Sequence, residues 1–273
     1  MPISNALGRG SLRYAFLLAS AFVTQLTGCE QAVPTPTTGA RLEYRVSLEF
    51  GLPEIGNRPP LRDWHDRISR RVSAVSSRAH VRAVAPDRIT IDCAQLPDDR
   101  IAAIKKALSI AGTFAIGRLA EDQSPVAVEA LIEDPESAEG VRLAARAGTR
   151  AAHLPPSHHD AFVIVERTSD LEKLRVLQSI TTRNVDGTVA HSIFLDDPNH
   201  TVMQETAQWA GHRSVVTIDD QVVWIGPMNS AQYGRLHLTF DGDLAKTEGI
   251  DAILETPFRI APKLVEEVRY GEE

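Results

Sequence analysis

Two groups of histidines and carboxylates in the sequence raise the question of a metal site. The denser group is His158-His159-Asp160, and imidazole and carboxylate are common ligands of transition metals. The second group comprises His191, Asp196, Asp197 and His200. Neither group has the spacing of a known motif such as H-E-x-x-H, and neighbouring residues of a strand point to opposite faces. We therefore predict solvated loop histidines next to Pro155-Pro156, with no bound metal and no cofactor.

Nucleophilic catalysis has equally weak support in the sequence. Cys93 follows a short apolar run and has no assigned base, which is typical of a small strand residue. Three serines lie outside any G-x-S-x-G turn: Ser69, Ser76 and Ser214. The acidic groups Asp219-Asp220 and Asp241-Gly242-Asp243 fit turns and caps beside strands, and no glycine-rich phosphate loop is present. The sequence therefore predicts a non-enzymatic protein without catalytic residues.

Binding of another polypeptide has better support. Trp224 follows two valines in a predicted strand, and with Met228 and Tyr233 it could form an apolar surface for an extended chain. The other two tryptophans, Trp64 and Trp209, lie on apolar helix faces and are predicted to be core residues. An exposed sheet edge could also accept a client strand through backbone pairing.

The first 28 residues have the order of charges and apolar residues found in a secretory signal peptide. Arg9 and Arg13 precede an apolar run at 14–23, which is too short to cross a bilayer of roughly 30 Å. The run leads to Leu26-Thr27-Gly28-Cys29, which resembles the bacterial lipobox. We predict cleavage after Gly28 and lipidation of Cys29. Several acyl chains on one residue suffice for stable anchoring.

Composition restricts the partners of the mature chain. Removing 28 of the 273 residues leaves 245, with 27 basic and 36 acidic side chains and a formal charge of -9. Such a chain is not expected to bind nucleic acid. We expect an envelope protein held by lipid to the inner or the outer membrane and working on its periplasmic side. No later stretch has 18 consecutive apolar residues, so the lipid at Cys29 is the expected contact with the membrane.

The mature chain divides into a tether and two α+β parts. Residues 29–40 are rich in Pro and Thr and predict an extended spacer. Residues 41–119 have the periodicity β-α-β-β-α-β, closed by a strand at 113–119, which is the order of a ferredoxin-like sandwich. Residues 120–160 form a poorly defined connection with a helix expected at 138–147. Residues 161–273 form a second α+β part, with a helix at 171–180 and a hairpin across Asp219-Asp220.

Several of these segments together resemble the first extracytoplasmic domain of SecD, an accessory subunit of the bacterial preprotein translocase. They are Arg71-Val72, Asp87-Arg88-Ile89-Thr90-Ile91, DDRIAAIKKALSIAGTFAIGRL at 98–119, GHRSVVTID at 211–219, GRLHLTF at 234–240 and the closing stretch 257–271. The resemblance spans about residues 41–119 and 199–271. It implies a base subdomain built from both ends of the domain, with a head subdomain inserted between them, so 161–273 would hold head and closing region.

This chain also departs from the SecD pattern. The Asp-Gly turn of the family is Asp219-Asp220 here, which puts a tight hairpin in question. A lipid anchor is expected where the family has its first membrane helix, so proton-coupled movement is not expected from this chain alone. The leading hypothesis is a SecD-like lipoprotein that binds unfolded polypeptides or translocase subunits during export. The alternatives are an assembly module of the envelope that reuses the fold and, third, a metal-dependent hydrolase.

Overall fold

The computed structural model describes residues 38–48, 60–84, 86–137, 139–146, 161–168, 171–185, 188–209, 211–228, 234–240 and 242–271. The elements, in chain order, are β1 (Gly39–Arg45), α1 (Pro60–Val75), β2 (His80–Val84), β3 (Arg88–Ala94), α2 (Asp98–Ser109), β4 (Phe114–Leu119), α3 (Pro125–Glu133), β5 (Val141–Ala145), β6 (Phe162–Glu166), β7 (Val176–Arg183), β8 (Val189–Leu195), α4 (Thr201–Gln208), β9 (Ser214–Ile218), β10 (Gln221–Gly226), β11 (Arg235–Leu238), α5 (Gly242–Ala245), α6 (Ile250–Glu255) and β12 (Lys263–Arg269). The chain is therefore mixed α+β. The predicted lipobox Leu26-Thr27-Gly28-Cys29, the group His158-His159-Asp160, Tyr233 and Asp241 lie outside the described residues.

A four-stranded antiparallel sheet joins the two ends of the described chain. Its order is β12-β1-β3-β2, and α1 and α2 supply apolar faces to the same core. Alternate residues of β1 and β3 are buried, as expected for a sheet with one covered face: Ala40, Leu42, Tyr44, Ile89, Ile91 and Cys93. The amide of Tyr270 donates to the carbonyl of Gly39 at 3.0 Å, so the two ends lie side by side.

The predicted order β-α-β-β-α-β over 41–119 is present, running from β1 to β4 with α1 and α2 between the strands. Its last strand does not close the same sheet, however, so these residues do not form a ferredoxin-like sandwich by themselves. The free edge of β1 is taken by β12, which pairs with it from Ala40 to Arg45. The predicted strand does form, as β4, but it enters a barrel. Four consecutive residues of β4, from Phe114 to Gly117, are buried. Such a strand needs cover on both faces, whereas the four-stranded sheet keeps one face open.

The barrel consists of five strands in the order β10-β5-β6-β4-β9. Its interior is small and aliphatic: Ala144, Val163, Val165, Val215 and Val222 are buried together. Gly117 permits this packing, because a Cβ there would lie 2.3 Å from Cγ1 of Val165. Helix α3 covers the outside with Val128 and Leu131 against Ile164.

Two predicted helices are strands in the structure. The segment at 138–147 contains β5, which pairs with β6 from Val141 to Ala145, so tertiary pairing overrides the helix propensity of its alanines. The segment at 171–180 passes into β7, which pairs with β8 as far as Arg183. Strands β11, β8 and β7 form a third sheet, and α6 packs along β7.

Candidate functional site

Helix α1 carries two arginines on its buried face. Trp64, Ile68 and Val72 form an apolar stripe along this helix, and Arg67 and Arg71 fall on the same stripe because they lie three and seven residues after Trp64. Arg71 is fully buried, and Arg67 is 9% exposed. Because arginine is rarely buried without partners, the contacts of these two side chains distinguish their roles.

Arg71 links the ends of two helices. Its guanidinium donates to five main-chain carbonyls, those of Ala107, Ile110, Ala111, Ile253 and Thr256. These carbonyls lie at the C-terminal ends of α2 and α6, where the last turns lack helical donors. The guanidinium also stacks on Phe258, 3.8 Å from the ring centroid. Burial lowers the pKa of Arg71 to about 9, and nearby Asp219 opposes this effect.

Asp219 fixes the segment that leaves α2. Its carboxylate accepts hydrogen bonds from the amides of Gly112 at 3.1 Å and Thr113 at 2.7 Å. Asp219 and Asp220 are the two loop residues of the β9–β10 hairpin, with φ of +51° and +59°. These values are those of a type I′ turn, so the predicted hairpin forms and the tight turn is kept without glycine. Asp tolerates this conformation better than most residues.

A groove of about 830 Å³ opens beside α1, and we call it the α1–β7 groove. Its apolar lining includes Phe114, Leu174, Val176, Leu177 and Phe258. Phe114, Val176 and Phe258 are fully or almost fully buried, whereas Leu177 is 54% exposed. Its polar lining comes from α1, from Thr113, from the stretch 173–175 and from the stretch 255–259 at and after the end of α6. The volume lies in the range of sites that hold ligands.

Two carboxylates of α6 occupy part of the outer edge of β7. Glu255 accepts from the amide of Ser179 at 3.0 Å, and Asp251 accepts from the amide of Thr181 at 3.1 Å. Burial alone would raise the pKa of Asp251, but His191 and hydrogen bonds from Ser179 and Thr181 outweigh it and hold the pKa at about 2. Both amides would otherwise be free to pair with an added strand.

Of the residues predicted to bind a polypeptide, the described pair Trp224 and Met228 does not line this groove. Trp224 and Met228 are half-buried and pack against the main core. The indole ring of Trp224 lies over Gly226, where a Cβ would come within 2.6 Å of Cζ2 of the ring. The surface predicted from Trp224, Met228 and Tyr233 therefore stays a prediction, with the first two residues partly accessible. Trp64 and Trp209 are buried, as predicted.

The other candidate residues have structural roles. Cys93 is buried in β3, and burial raises the pKa of its thiol to about 11, which keeps it protonated. His191 is buried against Phe240, with ring centroids 4.3 Å apart. Asp196 pairs with Arg175, and Asp197 accepts from the first amides of α4. Among the described residues, no three His, Cys, Asp or Glu side chains are grouped as metal ligands.

The sequence does not predict the groove, although it contains one feature that points to it. Arginines at positions 67 and 71 interrupt a helical stripe that is otherwise apolar. That pattern indicates arginines bonded inside the protein or facing a pocket. The contributions of Phe114, Leu174 and Phe258 come from distant segments, and their meeting could not be derived from local periodicity.

Comparison with known proteins defines the fold class. No family profile and no curated protein matches the sequence. The fold is shared with solved structures of SecDF. The SecDF structure in a super-membrane-facing form has 14% identity and a TM-score of 0.54, and it covers 87% of this chain. This chain corresponds to 32% of that SecDF chain, so it spans about a third of its length.

A second match concerns a structure of SecDF described as a membrane component that enhances protein export. It has 14% identity and a TM-score of 0.51, with 83% of this chain and 98% of that chain covered. This chain therefore has a SecD-like fold. Within the described residues, no helix is long and apolar enough to cross a membrane.

Proposed function

We propose that this protein is a non-enzymatic, SecD-like domain of the bacterial envelope that binds extended polypeptides during protein export. In this proposal Cys29 carries the lipid that tethers it to the membrane, and the folded part works on the extracytoplasmic side. The proposal combines the shared fold, which alone does not fix function, with the α1–β7 groove as the observation that carries it.

One observation favours a peptide over a compact ligand. The apolar lining of the groove includes the exposed Leu177, so the site continues onto the surface next to β7. Polar groups line the same groove and are placed to fix the orientation of whatever binds there.

In this proposal the lipid-bearing tether leads into β1, whose start lies beside the end of β12, where the amide of Tyr270 donates to the carbonyl of Gly39. Trp224, Met228 and Tyr233 remain a second candidate contact for the same clients or for translocase subunits.

Photo-crosslinking in cells tests this function. A photoreactive amino acid at Leu177 reports on the groove, and one at Trp224 reports on the second surface. Val126, which is 75% exposed on α3, serves as the matched control. We expect adducts with many exported polypeptides or with translocase subunits from Leu177 and few from Val126. Equal, background labelling from all three positions would contradict the function.

The alternative is an assembly module of the envelope that reuses the fold. It predicts one stably folded partner, captured in constant ratio by affinity purification, and no preference for unfolded chains. The crosslinking pattern separates the two proposals, because one partner gives one adduct and export clients give many.

A further inference from the structure

Basic side chains outnumber acidic ones around the α1–β7 groove, although the whole chain is acidic. The cationic residues of its lining are Arg67, Arg70, Lys173, Arg175 and Arg259. The anionic residues are Asp63, Asp66 and Glu255. Two of these three carboxylates have partners. Glu255 is bonded to Arg70 and to the amide of Ser179, and Asp66 lies 3.3 Å from the ring of His65. The lining therefore has a formal charge of +2, from five basic and three acidic side chains, in a protein of formal charge -7.

Arg67 is the buried member of this group, and its donors are poorly used. It is 9% exposed, and among the described residues its hydrogen bond is from Nη1 to the carbonyl of Pro257 at 2.9 Å. A guanidinium has five N–H groups, so most of them remain available. Arg71 differs sharply, because five carbonyls surround its guanidinium.

The positive charge of Arg67 is also poorly compensated by its surroundings. Burial lowers its pKa, and the charges of Arg175 and Arg70 act in the same direction, against Asp63 one turn earlier on α1. Within the part of the chain that the structure describes, Arg67 has no ion pair, and Arg175 and Arg70 are paired with Asp196 and Glu255. The remaining N–H groups of Arg67 are not fully buried, so they reach the solvent of the groove. A carboxylate of a ligand could bind them there and would reduce the repulsion among the three arginines.

We propose that the α1–β7 groove selects extended peptides in which an acidic group stands beside an apolar side chain, with Arg67 binding the carboxylate. The apolar side chain would pack near Leu174 and Leu177, both of which line the same groove. A carboxylate matches the fork of a guanidinium and can accept two hydrogen bonds from it. The inference rests on the proposed function and names the class of peptide that the groove prefers.

The carboxylate has two sources, an Asp or Glu side chain and a peptide C-terminus. Peptides with an amidated C-terminus distinguish the two, because amidation removes the terminal carboxylate and leaves the Asp or Glu side chain unchanged. Inorganic phosphate and vesicles of phosphatidylglycerol test whether the groove accepts anions in general.

Fluorescence anisotropy with four labelled peptides tests the proposal on the full folded domain. The peptides share one apolar sequence. Three have amidated ends and carry Glu, Gln or Lys at the central position, and the fourth has Gln and a free C-terminus. We expect the Glu or the free-carboxylate peptide to bind roughly tenfold more tightly than the amidated Gln peptide, and the Lys peptide to bind most weakly. The preference should weaken with added salt.

Substitutions locate the preference in the groove. Arg67→Gln should remove most of the difference between the carboxylate-bearing peptide that binds more tightly and the amidated Gln peptide, and Arg41→Gln, on the open face of the four-stranded sheet, should leave it unchanged. If the Arg67→Gln variant unfolds, a double substitution of two exposed residues of the lining, Lys173→Gln and Arg259→Gln, provides the second test. We expect it to remove about half of the binding free-energy difference between the carboxylate-bearing peptide and the amidated Gln peptide.

The results also distinguish failure of this inference from failure of the proposed function. Equal binding of all four peptides, including the one with a free C-terminus, would overturn the preference for a carboxylate and leave polypeptide binding intact. Absence of binding by every peptide would overturn both. Displacement of the Glu peptide by phosphate or by phosphatidylglycerol vesicles at concentrations comparable to the peptide would show a general anion site and overturn peptide selection.

Discussion

Arg71 and Asp219 hold the same three-residue segment, residues 111–113, through its carbonyl and its amides respectively. Arg71 donates to the carbonyl of Ala111 at 2.9 Å, and Asp219 accepts from Gly112 and Thr113 at 3.1 and 2.7 Å. This segment connects α2 of the four-stranded-sheet part to β4 of the barrel. The two side chains therefore fix the junction between the two parts of the fold, directly below the α1–β7 groove, which Thr113 lines.

The first prediction concerns this junction. Arg71→Lys keeps a charge but loses the fork of donors, so we expect a loss of about 2–4 kcal/mol in the free energy of unfolding. Asp219→Asn should cost about 1–2 kcal/mol because one strong acceptor remains. In urea unfolding, the loss of stability in the double variant should differ by at least about 0.5 kcal/mol from the sum of the losses in the two single variants.

Asp134→Asn is the control for this coupling. The carboxylate of Asp134 accepts from the nearby amide of Glu136, so the substitution should combine additively with Arg71→Lys. If the effects of Arg71→Lys and Asp219→Asn on the free energy of unfolding simply add, the two side chains do not stabilise residues 111–113 jointly.

The second prediction concerns pH and the edge of β7. The pKa of Asp251 lies at about 2 in the folded protein, below its ordinary value of 3.8. A depressed acid pKa contributes stability that is present above about pH 4 and is lost as the pH falls toward 2. Asp251→Asn lacks this contribution, so the stability difference between wild type and variant should shrink between about pH 5 and pH 2.5 in chemical denaturation. A difference that stays constant across this range would show that Asp251 is not held ionised by its bonds to β7.

The third prediction concerns Trp224. Gly226→Ala places a methyl group 2.6 Å from Cζ2 of the indole, so the ring must move. We expect a loss of about 1–3 kcal/mol in stability and a red shift of tryptophan emission as the ring becomes more exposed. In a Trp224→Leu background the same glycine substitution should cost clearly less. An equal cost in both backgrounds would place the strain in the backbone of β10 and not in the ring contact.

The fourth prediction concerns the anchor. Cys29→Ser removes the thiol that would carry lipid, so the variant should no longer incorporate a labelled fatty acid and should leave the membrane fraction. Cys93→Ser is the matched control, because its thiol is buried in β3 and should not be acylated. Retention of Cys29→Ser in the membrane fraction would contradict lipid anchoring at this residue.

The sequence predicts the strands and helices correctly where an element buries one face, because its apolar residues then repeat at the spacing of a strand or of a helix. The alternation in β1 and β3 and the apolar stripes of α1 and α2 follow from the sequence, and so does the β9–β10 hairpin. The partner of β1 could not be derived in this way, because strands pair through backbone groups that β4 and β12 both carry. That choice depends on β4 needing cover on both faces, which only the barrel provides.

The same limit explains the two mistaken helices and the missed groove. Leu171, Leu174 and Leu177 are spaced as on a helix, yet Leu177 is exposed at the start of an edge strand. Local propensity could not foresee that α6 would supply carboxylates to that strand. The sequence shows Arg67 as a charged residue on an apolar stripe. It does not show which of its donors are bonded, because the acceptor, the carbonyl of Pro257, comes from a segment 190 residues later.

The central claim is that the α1–β7 groove binds extended polypeptide, and mapping by NMR chemical-shift perturbation tests it most directly. An unfolded export substrate without a fluorophore is titrated into the isotope-labelled domain, and the methyl and amide signals are followed. The account predicts saturable shifts that cluster at Leu174, Val176 and Leu177, with little change at Val126 on α3. Shifts confined to residues outside the groove, or none at saturating substrate, would contradict it.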